Sequence, residues 1–206
     1  YEVVKTFGIF DNVFCPNEKT FRFLEDVFSE VAALFPGTYI HIGGDECPKT
    51  AWKQCSHCQG LMKKLNLKDE NQLQSYFIHE VEKIVNRQGK QIIGWDEILD
   101  GGLAPNATVM SWRGEKGGIE AAKSGHSVIM MPNADTYLNY YQEDPEYAPI
   151  GSGSFLPIEQ VYSYEPIPAQ MNDRDKKYVL GMAAALWTPY MKNPDVVDYY
   201  MYPRFY

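Results

Sequence analysis

Five short apolar stretches alternate with helical patterns along this chain, and that alternation predicts an α/β fold with a parallel sheet. Two more observations agree with it. The stretches are apolar at successive residues, as in strands covered on both faces. Four of the five end in an acidic residue or a tryptophan, and the C-terminal ends of parallel strands are where such folds gather ligands and chemistry. Five β–α units are too few to close a (β/α)8 barrel. Taken alone, the pattern leaves a segment of a larger barrel or an open sheet.

Residues 1–16 read as a loop, punctuated by Gly8 and Pro16. Asn17 is a suitable N-cap for the first helix. Phe21, Leu24, Phe28, Val31 and Phe35 then recur at helical spacing, and Pro36-Gly37 stops the helix. A strand over Thr38–Ile42 follows and runs into Gly43-Gly44-Asp45-Glu46. On a regular strand, adjacent side chains point to opposite faces. Two glycines permit a bend that turns both carboxylates into one cleft. Residues 47–67 read as an irregular polar excursion with a short helix near Gly60–Leu65.

A helix over 71–88 places Leu73, Phe77, Val81, Ile84 and Val85 on one face, with Gly89 at its C′ position. The strand Lys90–Gly94 ends in Trp95-Asp96-Glu97, and Thr108–Ser111 ends in Trp112-Arg113-Gly114. A short helix near Gly118–Lys123 leads to the strand Ser127–Met131. A loop rich in Tyr, Pro and Gly runs from 132 to about 164. The strand Tyr178–Leu186 ends in Trp187-Thr188-Pro189, and a last helix starts at Pro194-Asp195. No linker composition divides the chain, so residues 1–206 are expected to form one domain.

A net charge of −8 argues against a nucleic-acid partner, which wants a basic face. No apolar run is long enough for a membrane span. The 15 tyrosines and 4 tryptophans fall largely at strand ends and in loops, which suits a cleft that stacks sugars. Of the four cysteines, Cys55 and Cys58 form a CxxC. A zinc set of Cys47, Cys55, Cys58 and His57 lacks the second pair of the usual motif, and His57 lies inside the CxxC. A local disulfide or reduced thiols is the preferred reading. A thioredoxin-like role lacks the matching βαβ start. No metal and no cofactor is expected.

The carboxylate pair narrows the chemistry. A common retaining glycosidase uses two carboxyls about 5–5.5 Å apart, one of them the nucleophile. Neighbours at one strand end approach a substrate from the same side. They suit a different division of labour, in which one is the general acid and the other positions a substrate group. A 2-acetamido group can then serve as the nucleophile.

Five motifs carry a resemblance. They are His41-Ile42-Gly43-Gly44-Asp45-Glu46, Gly94-Trp95-Asp96-Glu97, Val109-Met110-Ser111-Trp112-Arg113-Gly114, Tyr137-Leu138-Asn139-Tyr140-Tyr141-Gln142 and Ala185-Leu186-Trp187-Thr188. In this order they resemble the family 20 glycoside hydrolases, the β-N-acetylhexosaminidases, over nearly the whole chain. The resemblance implies a (β/α)8 TIM barrel of which this chain supplies strands four to eight. It implies removal of terminal β-linked N-acetylhexosamine from glycans through an oxazolinium intermediate.

By this resemblance Glu46 is the general acid/base. Asp45 accepts the acetamido N–H, and Tyr137 donates its hydroxyl to the acetamido oxygen. Trp95, Trp112 and Trp187 wall the sugar pocket. His41 is expected to be a buried, hydrogen-bonded support for the carboxylates, and Asp96 and Glu97 to lie at the rim, in contact with a second sugar, or behind the groups that touch substrate.

Two positions depart from the family. Carboxylates that bind the sugar's 4- and 6-hydroxyls are replaced by Asn139 and Pro189. Loss of two anions is expected to loosen grip on an unmodified sugar and to favour an anionic one, such as 6-sulfated N-acetylglucosamine. The alternative is room for a further sugar and release of a disaccharide. The remainder of the barrel, with its substrate-binding arginine, is expected from N-terminal sequence not in this chain, so this segment alone should lack a full subsite. A periplasmic or extracellular location is expected.

Three other readings compete. Gly43-Gly44-Asp45-Glu46 matches four letters of a GGDEF nucleotide cyclase, but Cys47 replaces its Phe. A metal-dependent hydrolase would use His41, Asp45 and Glu46. A non-catalytic glycan-binding relative would account for Asn139 and Pro189.

Overall fold

The computed structural model describes residues 4–6 and 8–206. The chain divides into two compact units, Tyr1–Thr108 and Val109–Tyr206. The expectation was one domain without a linker. The boundary indeed has no linker composition and falls within a strand. Residues 1–3 and 7 of the expected N-terminal loop lie outside the described residues.

In the first unit, helix α1 spans Glu18–Leu34, and the Asn17 side chain accepts the Thr20 N–H at 2.9 Å. This is the N-cap the sequence predicts. Strand β1, Tyr39–His41, runs parallel to β2, Gln91–Trp95, with Ile40 opposite Ile92. The hydrogen bonding continues past the end of β1. The Ile42 N–H donates to the Ile93 carbonyl at 2.8 Å, and the Trp95 N–H to the Gly43 carbonyl at 2.9 Å.

The segment 47–67 corrects the sequence reading. It holds two helices, α2 (Thr50–Gln54) and α3 (Ser56–Leu65), where one short helix near Gly60 was expected. The signal was thin because few side chains turn inward. Trp52, Cys58 and Met62 do so, and with Leu73 they build a small buried cluster. Helix α4, Glu70–Arg87, buries Leu73, Val81, Ile84 and Val85 of its predicted face, together with Ile78. Its N-cap Asp69 accepts the Gln72 N–H at 2.9 Å.

In the second unit, β3 (Thr108–Ser111), β4 (Val128–Met130) and β5 (Val179–Met182) are parallel in that order. Helix α5, Lys116–Lys123, connects β3 to β4. The expected loop from 132 to 164 contains two short helices, α6 (Asn133–Thr136) and α7 (Ile158–Ser163). The last strand is shorter than predicted. It ends at Met182, and pairing resumes only as a single bridge between Tyr137 and Ala185. Helix α8, Pro194–Met201, is capped by Asn193, whose side chain accepts the Val196 N–H at 3.0 Å.

Burial on both faces holds for β2 and β3, which are buried at most positions. It fails for β1 and β5, where exposed or half-exposed residues alternate. Apolar composition shows that a strand can be covered, but not what covers it.

Candidate active site

The turn after β1 is unusual in its backbone. Gly43 has φ +76°, Gly44 +98° and Glu46 +44°, so three of four consecutive residues lie in the left-handed region. For Glu46, which has a Cβ, this costs roughly 1–2 kcal/mol. Gly44 is fixed by space as well as by angle. A Cβ there would stand 2.6 Å from Cγ2 of Ile98, and one on Gly94 would stand 2.8 Å from the same methyl. The two glycines close around one buried isoleucine from the 3₁₀ turn Asp96–Leu99. That packing turns the chain where Asp45 and Glu46 emerge.

Hydrogen bonds hold the turn from the helix layer. Gln74 of α4 is buried and donates from Nε2 to the Gly44 carbonyl at 2.8 Å. Its Oε1 accepts from Lys49 Nζ, which also donates to the Cys47 carbonyl at 3.0 Å. Burying this amide is tolerable because both of its ends are paired. Asp45 and Glu46 themselves are exposed. They border a cleft of about 410 Å³, shared with Ile42, Trp52, Gln74 and Phe77.

His41 differs from expectation. It is exposed rather than buried, and its Nδ1 accepts the Gly43 N–H at 3.1 Å. The partner found is thus backbone, and the ring supports the turn rather than the carboxylates directly. The imidazole lies 4.5 Å from the Trp95 ring at 56°. Dehydration beside these groups lowers its pKa from the usual value, and the Asp45 charge partly opposes that. Asp96, expected either at the rim or as a support behind the groups that touch substrate, is buried, which leaves the supporting place.

The second unit gathers aromatic rings around Tyr137, which is 8% exposed. Trp112, just beyond β3, lies nearly parallel to Tyr137 at 12°, centroids 6.3 Å apart. The Trp187 ring meets it edge-on at 6.0 Å and 66°, and Tyr140 stands 5.8 Å away. Such offset and edge contacts are the favourable ones between aromatic rings. Backbone bonds fix the tyrosine's position. The Leu138 N–H donates to the Ala185 carbonyl at 2.7 Å, and the Ala185 N–H to the Thr136 carbonyl at 3.0 Å. Trp187 remains 45% exposed and can offer a face to a ligand.

Asn139 is buried, and its Oδ1 accepts the Trp187 N–H at 3.4 Å. Its amide therefore serves the strand end that presents Trp187. Pro189 is exposed in the turn beyond.

The structure brings His41, Asp45, Glu46 and Trp95 together at one strand-end region, and Trp112, Tyr137, Asn139 and Trp187 at another. Two positioning residues escaped the sequence reading. One is Gln74, for which a signal existed: it lies four residues before Ile78 and seven before Val81, a polar residue in the buried stripe. The other is Arg204, with no signal beyond being an isolated cation among aromatics. It is buried and donates to the carbonyls of Leu138 (2.5 Å), Tyr140 (3.1 Å), Leu156 (2.9 Å) and Tyr200 (2.7 Å). Burial depresses its pKa to about 10, so the guanidinium stays charged at neutral pH.

Comparison with known proteins decides the family. The family described as "Glycosyl hydrolase family 20, catalytic domain" matches residues 1–206. The chain belongs to this family. A beta-hexosaminidase of Porphyromonas gingivalis is 54% identical over 199 residues, covering 96% of this chain and 26% of that protein. One from Vibrio furnissii is 38% identical, covering 94% and 32%. A crystal structure of a GH20 exo beta-N-acetylglucosaminidase from Vibrio harveyi, in complex with N-acetylglucosamine, superposes with a TM-score of 0.83. It is 35% identical and covers 95% of this chain and 31% of its own. The chain thus spans about a quarter to a third of the length of these relatives. Its parallel strands and helices are part of a family 20 (β/α) barrel, as the resemblance implied, and the cyclase reading falls away.

Proposed function

We propose that the protein containing this chain is a β-N-acetylhexosaminidase that removes terminal N-acetylglucosamine or N-acetylgalactosamine with retention, the acetamido group of the sugar acting as nucleophile. One observation carries the reading. In a family 20 chain, two adjacent carboxylates leave a parallel strand on a left-handed turn held by Gly44, Ile98 and Gln74. Backbone strain of this kind persists where surrounding packing over-determines it, which is typical of functional sites.

The reaction then runs in two balanced steps. The acetamido carbonyl oxygen attacks the anomeric carbon as Glu46 gives its proton to the departing glycosidic oxygen. Asp45 accepts the acetamido N–H and offsets the positive charge that develops on the ring so formed. Tyr137 donates to the acetamido oxygen and aligns it. In the second step Glu46, now a carboxylate, takes a proton from water. The water oxygen bonds to the anomeric carbon and the oxazolinium ring opens, which restores the acetamido group and leaves Glu46 protonated. Trp95, Trp112 and Trp187 supply flat apolar surface for the sugar and limit water at the reacting atoms.

Parallel assays on p-nitrophenyl β-N-acetylglucosaminide and p-nitrophenyl β-glucoside test the proposal. Cleavage of the first alone is expected. Equal rates would show that the acetamido group takes no part.

A finer reading concerns specificity. Asn139 and Pro189 leave neutral groups where relatives of the family carry anions, which favours a 6-sulfated N-acetylglucosamine or an extended glycan. Comparing plain with 6-sulfated N-acetylglucosaminides decides it. A strong preference for the plain sugar overturns the sulfate reading.

A further inference from the structure

Away from the carboxylate turn, three sulfurs meet. The Sγ atoms of Cys15, Cys55 and Cys58 all lie within 4.8 Å of one another. Cys15 comes from the segment before α1, Cys55 is the N-cap residue of α3, and Cys58 lies in that helix's first turn. Cys58 is fully buried and the other two are half-buried.

The spacing bears on the fate of these thiols. The Cys15 and Cys58 sulfurs are 3.7 Å apart. A disulfide requires about 2.05 Å. Two thiolates on one tetrahedral zinc, each with a Zn–S bond of about 2.3 Å, stand about 3.8 Å apart. The number of sulfurs points the same way. A disulfide would use two and pack a third thiol against the bond, where it could exchange. A soft cation uses all three.

We propose that Cys15, Cys55 and Cys58 form a zinc site that pins the segment before α1 to the start of α3, with solvent in the fourth position. His57 sits within the CxxC but turns elsewhere, its Nε2 lying 3.3 Å from the Pro16 carbonyl. The Cys58 backbone N–H lies against the Cys55 sulfur. Zinc binding displaces the three thiol protons to solvent and leaves the cluster with a charge of −1. Cys47 is outside the set.

The test uses the purified protein, reduced anaerobically, equilibrated with zinc and desalted. Metal analysis should find about one zinc per chain, as for a single thiolate site. Cobalt in place of zinc should give sulfur-to-cobalt charge-transfer bands with the strong visible absorption of a tetrahedral ion. Alkylation mapped by peptide should show zinc shielding Cys15, Cys55 and Cys58 but not Cys47. Cys55→Ser should lower bound zinc to under about a tenth of that value, while Cys47→Ser and His57→Ala retain it. Should Cys55→Ser fail to fold, the cobalt spectrum and the shielding pattern of the unaltered protein still decide. Failure of the reduced protein to retain zinc, octahedral cobalt bands, shielding that leaves out any of the three thiols, or a disulfide among them with no metal in protein isolated without reductant would each overturn the site.

Discussion

The two units hold their candidate residues by opposite means. In the first, Asp45 and Glu46 are exposed, and the turn that carries them is set by left-handed backbone and two glycines closed on Ile98. In the second, Tyr137 is buried among rings, and its loop hangs on a buried guanidinium. The difference follows from the roles proposed for each group. A proton donor must reach solvent and substrate, so its precision comes from the chain beneath it. An aligning hydroxyl can be gripped by its own ring. The first arrangement should therefore be sensitive to a single methyl group, and the second to loss of a charge far from the tyrosine.

The largest expected effect is on chemistry. Glu46→Gln keeps shape but removes the proton, and kcat should fall about 10³-fold, with circular dichroism unchanged. A non-catalytic glycan binder would instead show no turnover to lose and would keep its affinity for N-acetylglucosamine. Tyr137→Phe comes next. Removing the hydroxyl that aligns the acetamido oxygen for attack should lower kcat about 10²-fold with little change in KM. An unaltered kcat would reduce the ring cluster to packing.

Stability separates the units further. Arg204→Met removes donors from four carbonyls and should cost about 3–5 kcal/mol, read as a lower denaturation midpoint. Gly44→Ala should cost about 1–3 kcal/mol from overpacking on Ile98, and should lower kcat more than its stability loss explains. Full activity in Gly44→Ala would break the claim that this turn is sterically set.

The smallest effect is a pH dependence. His41 has a lowered pKa in the folded chain, so the unfolded chain binds more protons just below about pH 6.5. Its contribution to stability is complete above that value and fades as pH falls through the lower folded pKa. His41→Gln should flatten the stability profile on the acid side of about pH 6.5 and leave it unchanged above. An identical slope in the variant would assign the dependence to other groups.

Much of this was legible in residues alone. The Asn17 cap, the apolar face of α4, the strand positions and the order of the five motifs all rest on local spacing, and local spacing is what a sequence displays. The helices at 50–65 were missed for the complementary reason. Their inward residues, Trp52, Cys58 and Met62, pack on Leu73 and not on a long face of their own. His41 is expected in the interior as a support for the carboxylates, yet its position in β1 leaves it exposed.

By itself, then, the sequence determined the family and the chemical repertoire: an adjacent acid pair at a glycine-bent strand end, and tryptophans past other strand ends. Only the tertiary structure decided what holds them. Ile98 on Gly44, Gln74 on the Gly44 carbonyl and Arg204 beneath the tyrosine loop are partners distant in sequence. The same holds for the three-sulfur cluster, which joins Cys15 to Cys55 and Cys58 across about forty residues of chain. Contacts of that kind leave no periodic trace, because steric fit and hydrogen-bond geometry are set in space and not by separation along the chain.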